Sequence, residues 1–395
     1  MINLHEPNIS KKDIDSVKKV LADGWVSSAG KEINKFENRL KDYTGSKYVV
    51  ACVNGTSALH IAIKLLNLNN YSEVLVPSLT FIASVNSIIY NNLSPFFIDN
   101  DKYYTADTGK VLKFLTNNTK ITKKKNKYYL INKISSKIIR AILIIHVFGN
   151  AADIEKILKI CKKYNIYIVE DAAESLGTFY TKNSLKGKHT GTIGDIGCLS
   201  FNGNKIITTG SGGAILLKNK KHEELARYYI NQSKDDNMFY IHKNVGYNYR
   251  MNNIEAALGL SQLNRINNIL KNKIRIHKTY KKYFKNNINI SISNSPDYCK
   301  SNYWLNILEI NIKFNKINLH QLIKYLIKNN IQVRPLWYPN HLQRPFLKFN
   351  KDKISFLKKI YNNRLCLPSS YTLSEKDIKF ISQKINKFVT KKKSK

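Results

Sequence analysis

YVVACVNGTSALHIAIKLL, Tyr48–Leu66, passes from a short apolar strand, Tyr48–Val53, into a helix, Ser57–Leu66, across a polar turn. The alternation continues downstream. Val74–Val76 reads as a strand before Pro77, and Ile82–Tyr90 as a helix. Ile142–Ile145 and Ile166–Val169 read as buried strands, with a helix across Ile154–Tyr164 between them. Apolar strands alternating with helices predict an α/β fold, with a mostly parallel sheet covered by helices on both faces.

Upstream, Ser10-x-x-Asp13 before Ile14, Val17, Val20 and Leu21 predicts a capped helix. Ile33, Phe36 and Leu40 predict a second, stopped near Gly45. Asp99–Lys137 is polar and lysine-rich, with Lys123–Lys125 at its centre, and reads as a surface excursion. Ile254–Phe284 reads as one long helix or two broken ones. Beyond about residue 288 the pattern changes. Tyr303–Ile312 alternates as a strand, Leu319–Ile327 and Ile378–Phe388 are amphipathic, and the tail Lys391–Lys395 reads as frayed. The expected division is a large α/β domain over 1–287, including an N-terminal arm, and a small α+β domain over 288–395.

The chain's 395 residues are ample for a core, and 43% hydrophobic content fits a globular protein. No signal pattern follows Met1, and the longest apolar run, Ala141–Ile145, is too short to span a bilayer. The five cysteines form no CxxC pair and the nine histidines do not cluster, so a reduced cytoplasmic protein without a metal site is expected. The formal charge of +38 would attract polyanions. Lys, Asn, Ile and Tyr are all abundant together, however, as AT-biased coding produces, and no nucleic-acid-binding signature accompanies them. The excess can still steer a diphosphate-bearing substrate toward a cleft.

Three short patterns carry chemistry. Asn54-Gly55-Thr56-Ser57 follows a strand and opens a helix, so Gly55, Thr56, Ser57 and the first-turn amides could hold a phosphate. An ordinary helix cap explains the same residues. Ile168-Val169-Glu170-Asp171-Ala172-Ala173-Glu174 puts three carboxylates at the end of a buried strand, where open α/β sheets build their sites. Asp171 could keep a ring nitrogen protonated or merely cap a helix, and Glu170 reads as more structural than Glu174. GCLSFNGNKIITTGSGG, Gly197–Gly213, sets Lys205 among small and hydroxylated residues. Such a lysine suits nucleophilic work, although a surface lysine is the commoner case. A phosphate cradle, an acid for a pyridine nitrogen and a reactive lysine are together what pyridoxal phosphate requires. Phe81, after a strand, could stack on its ring or belong to the core.

These segments resemble the DegT-type sugar-nucleotide aminotransferases, which have the fold-type I architecture of pyridoxal-phosphate enzymes. The likeness runs from Gly24-Trp25-Val26-Ser27-Ser28 to Cys366-Leu367-Pro368-Ser369. It is carried by NGTSALHIA, PSLTFIAS, HVFGNAADI, VEDAAESLGT, GDIGCLSFNGNKIITTGSGG, GYNYRMNNIEAALG and RPLWYPNHLQ. The resemblance implies that Lys205 binds pyridoxal phosphate as a Schiff base and shuttles protons, and that Asp171 binds the pyridine nitrogen. Glu174 would sit by the ring and its 3-hydroxyl, where many relatives carry His or Gln. Gly55, Thr56 and Ser200 would hold the phosphate with Ser57 adjacent, and Phe81 would stack on the ring. Asn248 would reach the phosphate in the neighbouring subunit, implying a homodimer with shared active sites. Ser211 stands where a glycine or an acidic residue is common.

Lys205 argues against the family's dehydratase branch, which has histidine there. FNGNKIITTG and Gln232–Asp236 resemble the subgroup that aminates nucleotide-linked 4-keto-6-deoxy hexoses for bacillosamine, legionaminic acid or perosamine, with L-glutamate as donor. A 3-keto sugar or a keto-cyclitol would use the same cofactor residues, and a non-catalytic polyanion-binding member is a further alternative. Arg334, beside Pro335, could contact substrate or form a structural salt bridge.

Overall fold

The computed structural model describes residues 1–236, 238–311 and 317–391. Ile312 and, in the tail Lys391–Lys395, all but the backbone of the first residue lie outside the described residues. Fifteen strands are described: β1 Tyr48–Cys52, β2 Ser72–Pro77, β3 Ser94–Ile98, β4 Thr119–Lys124, β5 Lys127–Asn132, β6 Ile138–Ile145, β7 Tyr167–Asp171, β8 Phe179–Tyr180, β9 Ile196–Ser200, β10 Gly213–Leu217, β11 Ile290–Ile292, β12 Cys299–Lys300, β13 Asn306–Ile310, β14 Arg334–Pro335 and β15 Arg364–Leu367. The helices are α1 Lys11–Ala22, α2 Lys31–Thr44, α3 Gly55–Leu65, α4 Ile82–Tyr90, α5 Thr108–Asn117, α6 Glu155–Lys163, α7 Lys220–Ile230, α8 Asn253–Asn264, α9 Ile266–Phe284, α10 Leu319–Lys328, α11 Phe356–Ile360 and α12 Glu375–Lys391.

The main sheet runs β1-β10-β9-β7-β6-β2-β3. Pairings from β9 through β7, β6 and β2 to β3 are parallel, and β10 alone in this row is antiparallel to both neighbours. Successive side chains of a strand face opposite ways. Leu143 and Ile145 of β6 therefore enter one buried cluster, with Phe36 and Leu199, while Ile142 and Ile144 enter another, with Phe114 and Ile157. A helical layer covers each face, as the alternation predicts.

The N-terminal expectations hold in detail. Ser10 accepts from the amide of Asp13 while the Asp13 carboxylate accepts from that of Ser10, a capping box that opens α1. The second helix ends on Gly45, which is left-handed at φ 73°. Ile254–Phe284 is two helices, broken at Arg265. Asp99–Lys137 is more than a surface excursion. It carries α5 and the β4–β5 hairpin, whose second strand pairs with β6, so it widens the main sheet. Its Tyr104, Phe114 and Leu130 are buried, and Lys125 sits in the hairpin turn at positive φ.

Strand β3 has no counterpart in the sequence reading, and it carries Pro95, a residue unfavourable inside a strand. It is tolerated here because, among the described residues, β2 is the only strand beside β3, whose other side meets just a single bridge from Phe97 to Lys351. A second, wholly antiparallel sheet runs β11-β13-β15-β14. Its apolar side packs with α10, α12 and the end of α9 in a third cluster around Leu308, Leu326, Ile381 and Tyr280. Among the described residues no helix is long and apolar enough to cross a membrane.

Candidate active site

The C-terminal ends of β1, β2, β6, β7 and β9 open into a cavity of about 400 Å³. That lies within the usual span for small-molecule sites, roughly 300–1,000 Å³. Gly55, Thr56, Phe81, Asp171, Glu174, Ser200 and Lys205 all line it, so most of the predicted residues meet in one place. A larger cavity of about 800 Å³ lies between α1, α2 and α8, but it mixes Lys12, Lys19 and Lys31 with Asp15 and Asp23 and holds none of the predicted residues.

One end of the smaller cavity is the start of α3. The cap is Asn54, whose side chain accepts from the amide of Ser57 at 2.8 Å. Ser57 is buried and its amide is spent on that bond. The preceding first-turn positions, Gly55 and Thr56, face the cavity at the positive end of the helix dipole. A Cβ on Gly55 would stand 2.7 Å from the Cβ of Ser200, so glycine is what allows the start of α3 to approach the end of β9 this closely. Ser211 donates to the carbonyl of Val53 at 2.7 Å, tying the lysine loop to the cradle.

The other end is acidic and basic at once. Asp171, at the tip of β7, is buried and accepts from the Ser84 hydroxyl at 2.7 Å and from the amide of Ala173 at 3.1 Å. Glu174 is buried, with Lys205 Nζ at 3.4 Å and the amide of Phe148 at 2.8 Å. Burial pushes the Glu174 carboxyl up to about 7, and Asp171 reinforces the rise, although Lys205 and the Phe148 amide oppose it. Phe148 adopts φ 57°, unusual for a bulky residue, and its amide is the donor to Glu174. Such strain persists only where the surroundings hold it, and here Phe148 packs against Trp304 and Trp337.

Glu170 is structural, as expected. It accepts from the amides of Gly191, Ile193 and Gly194 and from His146. His146 Nδ1 accepts from the amide of Ala152, so its Nε2 carries the proton toward Glu170. Burial would raise the Glu170 carboxyl, but His146 and these amides hold it below the usual carboxylate range.

Phe81 stands at the mouth of the cavity, 56% exposed, with its ring edge toward Trp337. Asn248 is exposed and does not line this cavity, so within one protomer it stays apart from Lys205. Arg334 is not brought to the cavity either. It lies exposed on the edge strand β14, where its guanidinium donates to the carbonyl of Val333. Trp337, three residues on, reaches the cavity instead. Ser84, Asn54, Trp304 and Trp337 were missed as site residues. Asn54, Ser84 and Trp337 sit inside motifs already singled out, whereas Trp304 belongs to no such motif.

The residues fit pyridoxal phosphate. A helix N-terminus closed by Ser200 suits the phosphate, a buried carboxylate suits the ring nitrogen, and a largely enclosed amine suits the aldehyde.

The DegT/DnrJ/EryC1/StrS aminotransferase family profile matches residues 7–386. The chain is similar to a GDP-perosamine synthase of Escherichia coli O157:H7, at 32% identity over 99% of each chain. It is also similar to a UDP-4-amino-4,6-dideoxy-N-acetyl-beta-L-altrosamine transaminase of Campylobacter jejuni, at 32% identity over 76% of this chain and 74% of that one. The solved structure of PseC from Helicobacter pylori, an aminotransferase of pseudoaminic acid biosynthesis, shares the fold, with a TM-score of 0.85 at 22% identity and 98% of each chain covered. The chain belongs to the DegT/DnrJ/EryC1/StrS aminotransferase family and is a pyridoxal-phosphate-dependent enzyme of the fold-type I class.

Proposed function

We propose that this chain converts a nucleotide-linked 4-keto-6-deoxy hexose to the 4-amino sugar, with L-glutamate as the amino donor, as a cytoplasmic homodimer with shared active sites. The observation that carries the reading is the juxtaposition of Lys205, Asp171 and the α3 cradle around one cavity. The full-length similarity to a perosamine synthase supports it, as does the relative whose name specifies a 4-amino-4,6-dideoxy sugar.

Pyridoxal phosphate, when bound, would supply an electron sink for the charge left on the amine-bearing carbon when it loses its proton, and would carry the amino group between the two half-reactions. The chain's own residues do the rest. Gly55, Thr56 and Ser200, with Ser57 behind them, hold the phosphate at the α3 dipole. Asp171, fixed by Ser84, keeps the ring nitrogen cationic. Glu174, 3.4 Å from Lys205 Nζ, would sit by the ring and its 3-hydroxyl. Phe81 covers the ring from the mouth and limits entry of water. Lys205 Nζ would accept the proton that the amine-bearing carbon of glutamate loses and, in the second half-reaction, would deliver a proton to the sugar carbon that receives the amine. Asn248 completes the phosphate site of the neighbouring protomer. In the same proposal, 1–287 form the cofactor domain and 288–395 the smaller one.

The experiment supplies the purified holoenzyme with glutamate and, separately, UDP- and GDP-linked 4-keto-6-deoxy hexoses, and detects 2-oxoglutarate and the aminated sugar by mass spectrometry. Amination of either sugar nucleotide is expected. Conversion of glutamate with amination only of a 3-keto sugar or a keto-cyclitol would replace the substrate assignment. Steeply salt-dependent nucleic-acid binding without any glutamate reaction would favour a non-catalytic polyanion binder.

A further inference from the structure

Trp304 is buried at the meeting point of four segments. Its indole N–H donates to the carbonyl of Asn204, the residue before Lys205, at 2.6 Å. Its amide donates to Oδ1 of Asn302 at 2.8 Å, and the Asn302 side chain donates in turn to the carbonyls of Glu174 and Leu176. Its carbonyl accepts from Nζ of Lys273 at 2.7 Å. Lys273 lies in α9, is 1% exposed, and also donates to the carbonyl of Ser369. Every polar group of Trp304 is thereby tied to a different part of the structure. Its ring stacks on Phe148, and Lys205 Nζ lies over it, 4.4 Å from the centroid.

A lysine has four rotatable side-chain bonds and no preferred place for its amine. Here two neighbours define one. Glu174 stands at 3.4 Å on one side, and the indole face, the most favourable aromatic surface for a cation, lies on the other. Only 14% of the Lys205 side chain is exposed, so water competes weakly for it. We propose that Trp304 is a positioning residue for Lys205: its ring is the seat on which the amine rests whenever it is not bonded to the cofactor, and from which it enters proton transfer. Lys273 holds the seat by anchoring the Trp304 carbonyl. The proposal rests on Lys205 being the cofactor-binding, proton-moving lysine.

The test compares Trp304→Leu, which removes the ring, with Trp304→Phe, which keeps a ring but loses the indole N–H, and Lys273→Met, which frees the anchor. Three quantities are read: kcat and KM of the glutamate half-reaction, its primary isotope effect with α-deuterated glutamate, and the rate at which an amine-acylating reagent labels Lys205 in cofactor-free protein, by peptide mass spectrometry. Trp304→Leu should lower kcat about 10- to 100-fold with KM changed less than about threefold, because a displaced catalytic group costs rate rather than binding. It should also raise the isotope effect and speed the labelling of Lys205. Trp304→Phe should recover most of each, and Lys273→Met should fall between. An unchanged isotope effect and labelling rate in Trp304→Leu would overturn the proposal, as would equal losses in the Phe and Leu variants. Should Trp304→Leu not fold, the Trp304→Phe and Lys273→Met pair decides: an unchanged isotope effect in both overturns it. Full turnover in Lys205→Ala would instead refute the underlying reading of the site.

Discussion

The Ser84 hydroxyl donates to Oδ2 of Asp171 at 2.7 Å, joining the first turn of α4 to the tip of β7. Ser84 is completely buried, so this bond is shielded from water and carries the orientation of the carboxylate with it. A hydrogen bond to a charged group is worth about 1.5–3 kcal/mol. Ser84→Ala should therefore weaken retention of pyridoxal phosphate by about tenfold, measured by titrating the cofactor-free protein, while the fold keeps its melting temperature to within a few degrees. Undiminished retention would mean that Asp171 is oriented by Ala173 alone.

Lys205→Ala removes the amine and should lower turnover by at least about a thousandfold. Added pyridoxal phosphate should then bind without the absorbance change that marks its covalent attachment in the wild-type protein. A visible spectrum identical to wild type would show that another lysine carries the cofactor.

Gly55→Ala tests the closeness of the cradle. The new Cβ would lie 2.7 Å from Cβ of Ser200, so one loop must shift. Overpacking of this kind costs about 1–3 kcal/mol. The variant should melt lower and bind inorganic phosphate and pyridoxal phosphate more weakly. Ser200→Gly in the same chain should restore the melting temperature but not phosphate affinity, since the hydroxyl is gone.

Glu174 makes stability depend on pH in a stated direction. Its carboxyl is raised from 4.5 to about 7 in the folded protein, chiefly by burial. Between those values the folded protein holds a proton that the unfolded chain has released, so this group's contribution to stability falls as pH rises through the window. Glu174→Gln cannot ionise. Without cofactor, it should gain on wild type from pH 5 to pH 8 by an amount on the order of 2 kcal/mol, read from urea unfolding. The same difference at both pH values would refute the ionisation.

The sheet, both flanking layers and most of the site were legible because each rests on local pattern. β6 and β7 read as apolar runs, Asp171 ends β7 and Lys205 lies in the loop after β9. What escaped reading depends on partners distant in the chain. β3 holds Pro95, which is acceptable only because of where the strand lies in the sheet. Asp99–Lys137 looks like loop because its hairpin strand β4 is mostly exposed, and only β5 meets the sheet. Arg334 looks like a ligand-binding residue beside a proline, but the strand it occupies turns it to the surface while Trp337 reaches the cavity. Trp304 sits 99 residues beyond Lys205, and no spacing rule connects them.

The lone antiparallel strand of the main row has a consequence for ligand choice. β10 returns from the lysine loop alongside β1, which leads straight into the α3 cradle, and Gly212 bridges Asn54 while Ser211 bonds Val53. The main-chain separation between the lysine loop and the start of α3 is thus set by paired backbone. A ligand that spans the two meets a fixed frame, bridged at one end by the adjustable Lys205 side chain, and substitutions around the rim of the cavity leave that frame in place.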